Sequence, residues 1–495
     1  MKKKMVKSKF LFRNGILWFM LSAFVSCAQG FDSNEIFQSD VQNAQLESPE
    51  LNESSFTSKV NADGSESIQV SWSVVQGASG YKCIVYIVDD PENPEEIYNG
   101  IVDGTSFLFD KKDDTKYEVS VQALGNETLN NKDAETPTVI AYSTLVPAQI
   151  IPAGSDIVEF VKSHIIDQDT EQAFELEAGA SYEINSELDF GTKLVTFRGD
   201  KLDRPTVTFG IDGVIRTSAG LKIKFINFDC TVQASKGVVE CSSNPPSSLE
   251  GSNFAGYMDV AYILKDPIIF QECMFKNVPR CLFYTGECAW GVEDIRVMDC
   301  IVQLDNDGTS FGDAAVLCTY SSTSNYKGSQ SWNAAIRNIT IKNSTIYNIK
   351  PNSKNRMIRF MTNQLGKIFD SQYGTATISD CTLSKTFTDK EFANNTPNRK
   401  EYTITFNNNV CYDIFRLQKF IQGNCTNNVN MSTNTIWGDN VEIDNTDKTK
   451  WATEENPNFS GNVTQVLDLT QPNGGINFKA NGTISSTVGD PRWLE

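Results

Sequence analysis

One short phrase returns along residues 195–437, and it limits the fold of this chain more than any other feature of the sequence. The phrase has eight positions. The first, third and eighth positions are apolar, the fifth and sixth hold a small polar pair, and the second, fourth and seventh can hold any residue. Clear copies occupy residues 223–230, 268–275, 295–302, 339–346, 376–383 and 429–436, and weaker copies occupy 195–202 and 403–411. Because side chains two apart share one face of a strand, this alternation predicts short β-strands rather than helices.

The interval between the copies indicates how these strands are arranged. The second apolar residue of each copy serves as a marker, at Phe197, Phe225, Phe270, Val297, Ile341, Ile378, Phe406 and Met431. The markers lie 25 to 45 residues apart, an interval typical of solenoid coils that carry insertions. We therefore predict a right-handed parallel β-helix. A sandwich of antiparallel β-strands is the alternative.

The cysteines follow the same repeat. Four of the twelve, Cys230, Cys273, Cys300 and Cys381, fall at one position of the phrase. This placement predicts a buried ladder of free thiols that pack as small apolar groups, rather than disulfides. The chain has a single histidine, His164, which leaves little material for a zinc site or a Ser-His relay.

The charge of the chain limits its partners. Its formal net charge is −19, and the first 26 residues hold basic residues but no acidic ones. Nucleic acids and anionic lipids require basic surfaces, so a nucleic-acid partner is not expected.

Residues 1–26 have the pattern of an export signal, with a basic head and an apolar run at 16–25 that is too short to span a membrane. The run ends in Phe24-Val-Ser-Cys27, which resembles a bacterial lipobox. The resemblance implies that Cys27 is lipidated and anchors the protein in the outer membrane, facing the cell exterior. Ordinary signal cleavage, with Cys27 as a bystander, is the alternative. Residues 27–49 are polar and acidic and predict a flexible tether.

Residues 50–147 predict a compact β-sandwich. Alternating stretches at 67–72 and 81–86 are separated by a Gly-rich turn, and Tyr117 begins another alternating stretch. The positions of Trp72, Tyr81 and Tyr117 resemble a fibronectin type III domain, in which Trp72 and Tyr117 would be core residues. Such a domain acts as a spacer or docking module.

Residues 150–448 are assigned to the β-helix and residues 449–495 to a cap over its far end. Residues 156–166 have apolar side chains at helical spacing behind Ser155, a candidate N-cap. We expect this short helix to cover the first coil, where an open strand edge would otherwise pair with other chains. The fold class is thus all-β, with a fibronectin type III-like sandwich, a short capping helix and a right-handed parallel β-helix.

Together, the lipobox, the fibronectin-like region, the repeats and the closing Gly489-Asp-Pro-Arg-Trp493 resemble a group of Bacteroidetes surface lipoproteins. Their repeats are assigned to domains of unknown function (DUF4957 and DUF5123) and are distantly similar to pectate-lyase-like β-helices. The resemblance implies a role in polysaccharide utilisation, on plant-wall material such as pectin and beside other glycan-uptake proteins.

Insertions in a repeat array usually emerge on one side and form its binding face. Aromatic side chains there could stack on sugar rings, and paired arginines could hold the carboxylates of an acidic polymer. The predicted carbohydrate-binding residues are Trp290, Tyr320, Tyr326, Trp332, Arg356 and Arg359. Ion pairing within an acidic protein is the alternative role of the two arginines.

An enzyme is the second hypothesis. A hydrolase of uronate polymers is not expected, since the repeats lack a histidine and paired aspartates. A polysaccharide lyase would use Arg356 or Arg359 as the base and Ca²⁺ to neutralise the substrate carboxylate. Weak Ca²⁺ ligand candidates are Asp305, Asp307 and Asp313, for which an exposed turn is the simpler reading. A structural or adhesive protein is the third hypothesis.

Overall fold

The computed structural model describes residues 41–251, 262–286, 288–306, 315–319, 325–326, 329–330, 334–350, 355–360, 365–369, 371–385, 391–394, 396–397, 399–414, 416–420, 429–438, 465–480 and 487–494. The chain divides into two compact units, Met1–Leu145 and Val146–Glu495. The signal region with Cys27 lies outside the described residues. Within the described ranges, no helix is both long enough and apolar enough to cross a membrane.

The first unit consists of two antiparallel sheets. Its strands are β1 (Phe56–Val60), β2 (Glu66–Ser71), β3 (Gly80–Ile87), β4 (Glu95–Val102), β5 (Ser106–Asp110), β6 (Lys116–Leu124) and β7 (Thr138–Ser143). One sheet has the order β1-β2-β5 and the other β4-β3-β6-β7. Short 3₁₀ helices occupy Glu53–Ser55 and Glu127–Leu129.

Aromatic residues fill the core of this unit. The ring of Trp72 meets that of Tyr81 edge-on, with 5.1 Å between centroids. Tyr117 is fully buried, and its hydroxyl accepts a hydrogen bond from the Lys112 amide (2.7 Å) and donates one to the Lys112 carbonyl (3.2 Å). Trp72 and Tyr117 are therefore core residues, as predicted.

The second unit begins with β8 (Ala148–Ile151) and a short helix, α1 (Ile157–His164). The N-cap of α1 is Asp156, whose carboxylate accepts a hydrogen bond from the Glu159 amide (3.1 Å), so the prediction of Ser155 was wrong by one residue. Ile157 and Val161 of α1 are buried and join the core of the first coil.

The remaining strands follow in short coils. They are β9 (Gln172–Leu176), β10 (Ser181–Ile184), β11 (Glu187–Asp189), β12 (Val195–Arg198), β13 (Thr206–Phe209), β14 (Val214–Thr217), β15 (Leu221–Lys224), β16 (Asn227–Asp229), β17 (Gly237–Cys241), β18 (Tyr262–Leu264), β19 (Ile268–Gln271), β20 (Met274–Val278), β21 (Cys281–Tyr284), β22 (Trp290–Met298), β23 (Ile301–Leu304), β24 (Ala315–Cys318), β25 (Asn325–Tyr326), β26 (Ser329–Gln330), β27 (Ala335–Lys342), β28 (Thr345–Asn348), β29 (Arg356–Arg359), β30 (Gly374–Ser379), β31 (Thr382–Ser384), β32 (Ala393–Asn394), β33 (Tyr402–Asn407), β34 (Val410–Tyr412), β35 (Val429–Ser432) and β36 (Thr435–Trp437). Further 3₁₀ helices occupy Ser247–Leu249, Leu365–Lys367, Leu417–Phe420, Pro472–Gly475 and Pro491–Trp493.

Three long sheets run along this array. The first has the order β8-β9-β12-β15-β19-β22-β27-β30-β33-β35, the second β10-β13-β16-β20-β23-β28-β31-β34-β36, and the third β11-β14-β17-β21-β24-β29-β32. Neighbouring strands within each sheet are parallel, for example β12 with β15 and β27 with β30. The predicted all-β class and parallel β-helix are confirmed, and the antiparallel sandwich is excluded for the repeats.

The pairing of strands in the first sheet shows that one copy of the repeat phrase was aligned two residues too far toward the C-terminus. Phe197 pairs with Ile223, and Ile223 pairs with Phe270, so the marker of the second copy is Ile223 rather than Phe225. Phe225 lies two residues further on, at the corner between the first and second sheets, with a positive φ of 59°. A shift of two residues leaves the inward face unchanged, which is why alternation alone did not reveal it.

This corner has the same backbone shape in successive coils. Glu272, Asp299, Asn343, Asp380 and Asn408 occupy it with φ between 50° and 56°. Asn and Asp tolerate this left-handed conformation better than most side chains, which explains the polar residues in the phrase. The corner side chains also contact each other between successive coils. For example, the side-chain amide of Asn343 donates to the Asp299 carboxylate at 3.1 Å.

The residue after each left-handed corner points inward and forms the ladder predicted from the cysteines. Its members are Ile226, Cys273, Cys300, Ser344, Cys381, Asn409 and Asn434. Cys273, Cys300 and Cys381 are buried free thiols, as predicted. Cys230 is also free and buried, but its assignment to the ladder was wrong, because it lies four residues beyond Ile226, which follows the left-handed corner in that coil.

Hydrogen bonds link this inner ladder across coils. The Cys381 amide donates to the Asn409 side-chain carbonyl (3.0 Å), and the Asn409 amide donates to that of Asn434 (3.0 Å). Burial raises the pKa of the Cys381 thiol, which stays protonated and donates to the Ser379 carbonyl at 3.1 Å. These buried polar groups of the ladder thus have a partner one coil away or in their own strand.

The tail of the chain lies along the side of the array. Its described residues, 465–480 and 487–494, are named here the strap. The Arg492 guanidinium donates to the main-chain carbonyls of Asp299 (2.8 Å), Cys300 (2.8 Å) and Asn343 (2.9 Å), which belong to two successive corners. The Trp493 indole donates to Thr345 Oγ1 at 2.7 Å.

Apolar contacts hold the strap against the outer face of the second sheet. The cluster contains Met274, Ile301 and Tyr347 of the sheet and Leu467, Ile476, Phe478 and Trp493 of the strap. Residues 449–495 were predicted to cover the far end of the array. The described part of the tail follows the coils instead, because its anchor points are the corner carbonyls.

We expect Asn409→Ala to lower the free energy of unfolding of the second unit by about 2–3 kcal/mol, since it leaves the buried Cys381 amide without an acceptor and removes two further hydrogen bonds. The measurement is the midpoint of urea denaturation. Asn430→Ala is the control, because Asn430 is exposed on the same array and its loss should change the midpoint little. Equal shifts for the two variants would contradict a role for the ladder.

Candidate functional site

Long connections leave the array at one corner, between the third sheet and the first. They are residues 242–261 after β17, 319–334 after β24 and 360–373 after β29. The corner between the first and second sheets, in contrast, is closed by the short left-handed turns. Stacking the coils in register therefore brings the insertions to one side, as expected for a repeat array.

A cleft of about 560 Å³ lies at this corner, and we call it the corner cleft. Its apolar lining residues come from five separate parts of the chain and are Leu194, Ala219, Leu249, Ile263, Ile368 and Phe369. Its neutral polar lining residues are Gln168, Thr192, Ser218 and Ser248. The cleft thus combines an apolar floor with hydrogen-bonding groups, the usual composition of a small-molecule site.

The charged residues of the corner cleft are mostly acidic. Asp169, Glu250, Asp266 and Glu293 contribute carboxylates, and Lys265 contributes an ammonium group. Such carboxylates accept hydrogen bonds from ligand hydroxyls or attract a cationic ligand.

Arg337 fixes one wall of the cleft. Its guanidinium donates to the Phe369 carbonyl (2.7 Å), lies 4.4 Å from the centroid of the Phe369 ring and forms an ion pair with Glu293 (2.9 Å). The segment with Ile368 and Phe369 can pack closely on β22 because residue 291 is a glycine. A Cβ at Gly291 would lie 2.4 Å from Ile368 Cγ2.

The pKa of the Glu293 carboxyl group departs from its ordinary value. Burial raises the pKa of its carboxyl group, and the neighbouring Arg337 charge opposes that rise. The cleft therefore loses part of its negative charge at a higher pH than an exposed glutamate would allow.

The structure places Trp290 away from any ligand surface. Trp290 begins β22 and is fully buried, and its indole nitrogen donates to the Ser242 carbonyl at 2.9 Å. Its ring packs against Tyr262 with 5.6 Å between centroids. The prediction that Trp290 binds carbohydrate is wrong, because β22 extends further toward its N-terminus than the repeat phrase indicated.

Arg356 and Arg359 lie in strand β29 of the third sheet, and not in an insertion as predicted. They pair in register with Ala315 and Cys318, which belong to one buried cluster on the outer face of that sheet. Arg356 is 9% exposed and its Nη2 forms an ion pair with Glu391 at 3.3 Å. Arg356 Nε and Nη1 have no hydrogen-bond acceptor among the described residues.

The other predicted site residues are only partly placed. Asp305 forms an ion pair with Lys350 at 3.0 Å. The further candidates Asp307, Asp313, Tyr320 and Trp332, and the side chain of Tyr326, lie outside the described residues. In the described part of the chain, no group of three or more His, Cys, Asp or Glu side chains is arranged to hold a metal ion.

The corner cleft was not found from the sequence. Its lining runs from Gln168 to Phe369, and no short motif joins residues so far apart. The insertion after β29 also folds back toward Gly291 of β22, which lies two strands before β30 in the first sheet. Alternation in the strands carries no information about that path.

Comparisons with known families agree with the fold. A domain of unknown function, DUF4992, matches residues 4–191, and the domain of unknown function DUF4957 matches residues 180–349. The second match was expected from the repeats and fits the observed parallel sheets of a β-helix. No curated protein matches the chain.

We expect Arg337→Met to loosen the wall of the corner cleft, since it removes the ion pair to Glu293 and the hydrogen bond to the Phe369 carbonyl. Proteolytic cleavage between Leu365 and Phe369 should accelerate about tenfold or more, which corresponds to the loss of roughly one charge-assisted hydrogen bond. Arg296→Met is the control, because Arg296 also pairs with an acid, Asp294 (2.6 Å), but is more exposed. Unchanged cleavage in Arg337→Met would contradict this role.

Proposed function

We propose that this protein is a cell-surface lipoprotein that binds a polysaccharide in the corner cleft. The observation that carries the proposal is the cleft itself, a cavity of about 560 Å³ at the corner where the long insertions leave the array. A binding role requires only contacts that are complementary to the ligand, and the described lining residues of the cleft support such a role.

The chemistry of the cleft matches that of sugars. Sugar rings present apolar C–H faces, which pack on surfaces such as those of Leu249, Ile263 and Phe369. Sugar hydroxyls donate hydrogen bonds to carboxylates, here Glu250 and Asp266. An apolar floor with few polar groups at its rim orients a ligand while water is excluded from its underside.

The cellular setting of the proposal comes from the N-terminal part of the chain. The lipobox-like ending at Cys27 would attach the protein to the outer membrane. The prediction of a flexible tether over residues 27–49 is wrong for residues 41–49, because Leu46 is buried in the core of the first unit and its amide donates to the Lys132 carbonyl at 3.2 Å. Residues 27–40 would therefore be the tether that holds the folded units away from the membrane. The first unit, with its three- and four-stranded antiparallel sheets and the Tyr117 hydroxyl bonded to Lys112, supports a fibronectin type III-like spacer. Neighbouring glycan-uptake proteins would receive the captured polymer.

A polysaccharide lyase is the second candidate, and Arg356 is the observation that favours it. Arg356 is buried, and two of its guanidinium nitrogens have no acceptor among the residues that the structure describes. Such an arrangement is costly unless an anion completes the hydrogen bonds. The carboxylate of a uronate substrate is such an anion, and its neutralisation acidifies the adjacent C–H bond. Incubation with pectin, alginate or a glycosaminoglycan, with and without Ca²⁺, tests for the ultraviolet absorbance of unsaturated uronate products. A product that disappears in Arg356→Met would establish the lyase.

We expect Leu249→Asn to weaken glycan binding about tenfold, because it replaces part of the apolar floor with a polar side chain. The measurement is affinity electrophoresis in gels that contain one polysaccharide each, across neutral and acidic plant-wall polymers.

Leu202→Asn is the matched control, since Leu202 is 60% exposed and does not line the cleft. Retardation of the wild type that is equally strong in Leu249→Asn would place the binding site elsewhere. No retardation by any polymer, together with no lyase product, would leave a structural or adhesive role.

A further inference from the structure

We infer that the corner cleft selects neutral sugar residues and discriminates against uronates, an inference that rests on the proposed glycan-binding function. The ligand would then be a neutral polysaccharide instead of the pectic polymer that the family resemblance implied.

The first argument is the charge of the lining. Four carboxylates, those of Asp169, Glu250, Asp266 and Glu293, face one ammonium group, that of Lys265. The Arg337 charge lies behind the wall and is engaged by Glu293 at 2.9 Å and by the Phe369 carbonyl at 2.7 Å. A uronate carboxylate that enters the cleft therefore meets more negative than positive charge on the described lining residues.

The second argument is the penalty for bringing like charges together in a partly enclosed space. The cleft has an apolar floor, which lowers the local dielectric constant and strengthens the repulsion between carboxylates. The chain as a whole carries −19, so its long-range field adds to this repulsion. A neutral sugar avoids both effects and still offers hydroxyl donors to the same carboxylates.

The third argument concerns the exposure of the acidic groups. Glu250 and Asp266 are exposed, so water reaches their carboxyl groups before a ligand arrives. Accepting a hydroxyl hydrogen bond replaces a bond to water at little cost. Accepting a second carboxylate would require a proton or a bridging cation between the two groups.

The test compares polymers that differ only in charge. Polygalacturonate, alginate and hyaluronan are each paired with their carboxyl-reduced, neutral form in affinity gels, beside a panel of neutral plant-wall polysaccharides, with a chelator present. We expect the neutral form of a bound pair to be retarded about tenfold more strongly, and the difference to shrink at high salt. Binding to neutral panel members with no binding to the uronates also supports the inference.

Variants locate the discrimination in the cleft. The double variant Glu250→Gln with Asp266→Asn should reduce the ratio of neutral-form binding to uronate binding several-fold, because it removes two of the negative charges that repel the uronate. The control is Glu183→Gln with Asp212→Asn, which removes the same charge from exposed residues of the array that do not line the cleft.

The outcomes separate this inference from the function on which it rests. Stronger retardation by a uronate polymer than by its reduced form would overturn the inference and leave the glycan-binding function intact. An unchanged preference in the cleft double variant would also overturn it. No retardation by any polymer, neutral or acidic, would remove the proposed function and the inference together.

Discussion

The structure of the second unit depends on the parallel pairing of each coil with the next in a constant register. Strand hydrogen bonds hold the three sheets, but similar bonds would form in other registers. The left-handed corner and the inner ladder select one of them, because the Cys381 amide finds its acceptor in Asn409 only when the two corners lie directly above each other. The Arg492 guanidinium also favours this register from the outer side of the array, since it binds carbonyls of two successive corners.

The same register explains where a binding site can form. The short left-handed corners leave no room for insertions, so long connections arise at the corners of the third sheet. Residues that are distant in sequence, such as Asp169, Glu250 and Phe369, then meet at one place on the surface. The corner cleft is in this sense a product of stacking, and its acidic rim follows from which loops the stacking brings together.

Charged groups in the array are arranged in two distinct ways. Arg337 is satisfied by Glu293 and by a main-chain carbonyl, so it serves as a structural part of the cleft wall. Arg356 is only 9% exposed, yet two of its nitrogens have no acceptor among the described residues. The first arrangement favours a rigid site for a neutral ligand. The second supports the lyase alternative, because buried polar atoms without hydrogen-bond partners are uncommon and occur at functional sites.

The sequence by itself determined that the repeats are short strands, because burial of every second side chain imposes a period of two. It also predicted parallel coils with buried thiols, because the copies of the phrase return every 25 to 45 residues. It could not distinguish Phe225 from Ile223 as a marker, since a shift of two residues preserves that period. Only the tertiary structure decided that Trp290 is core, that Arg356 belongs to a strand and that Phe369 returns to Gly291. These outcomes depend on packing between segments far apart in the chain, for which local patterns carry no signal.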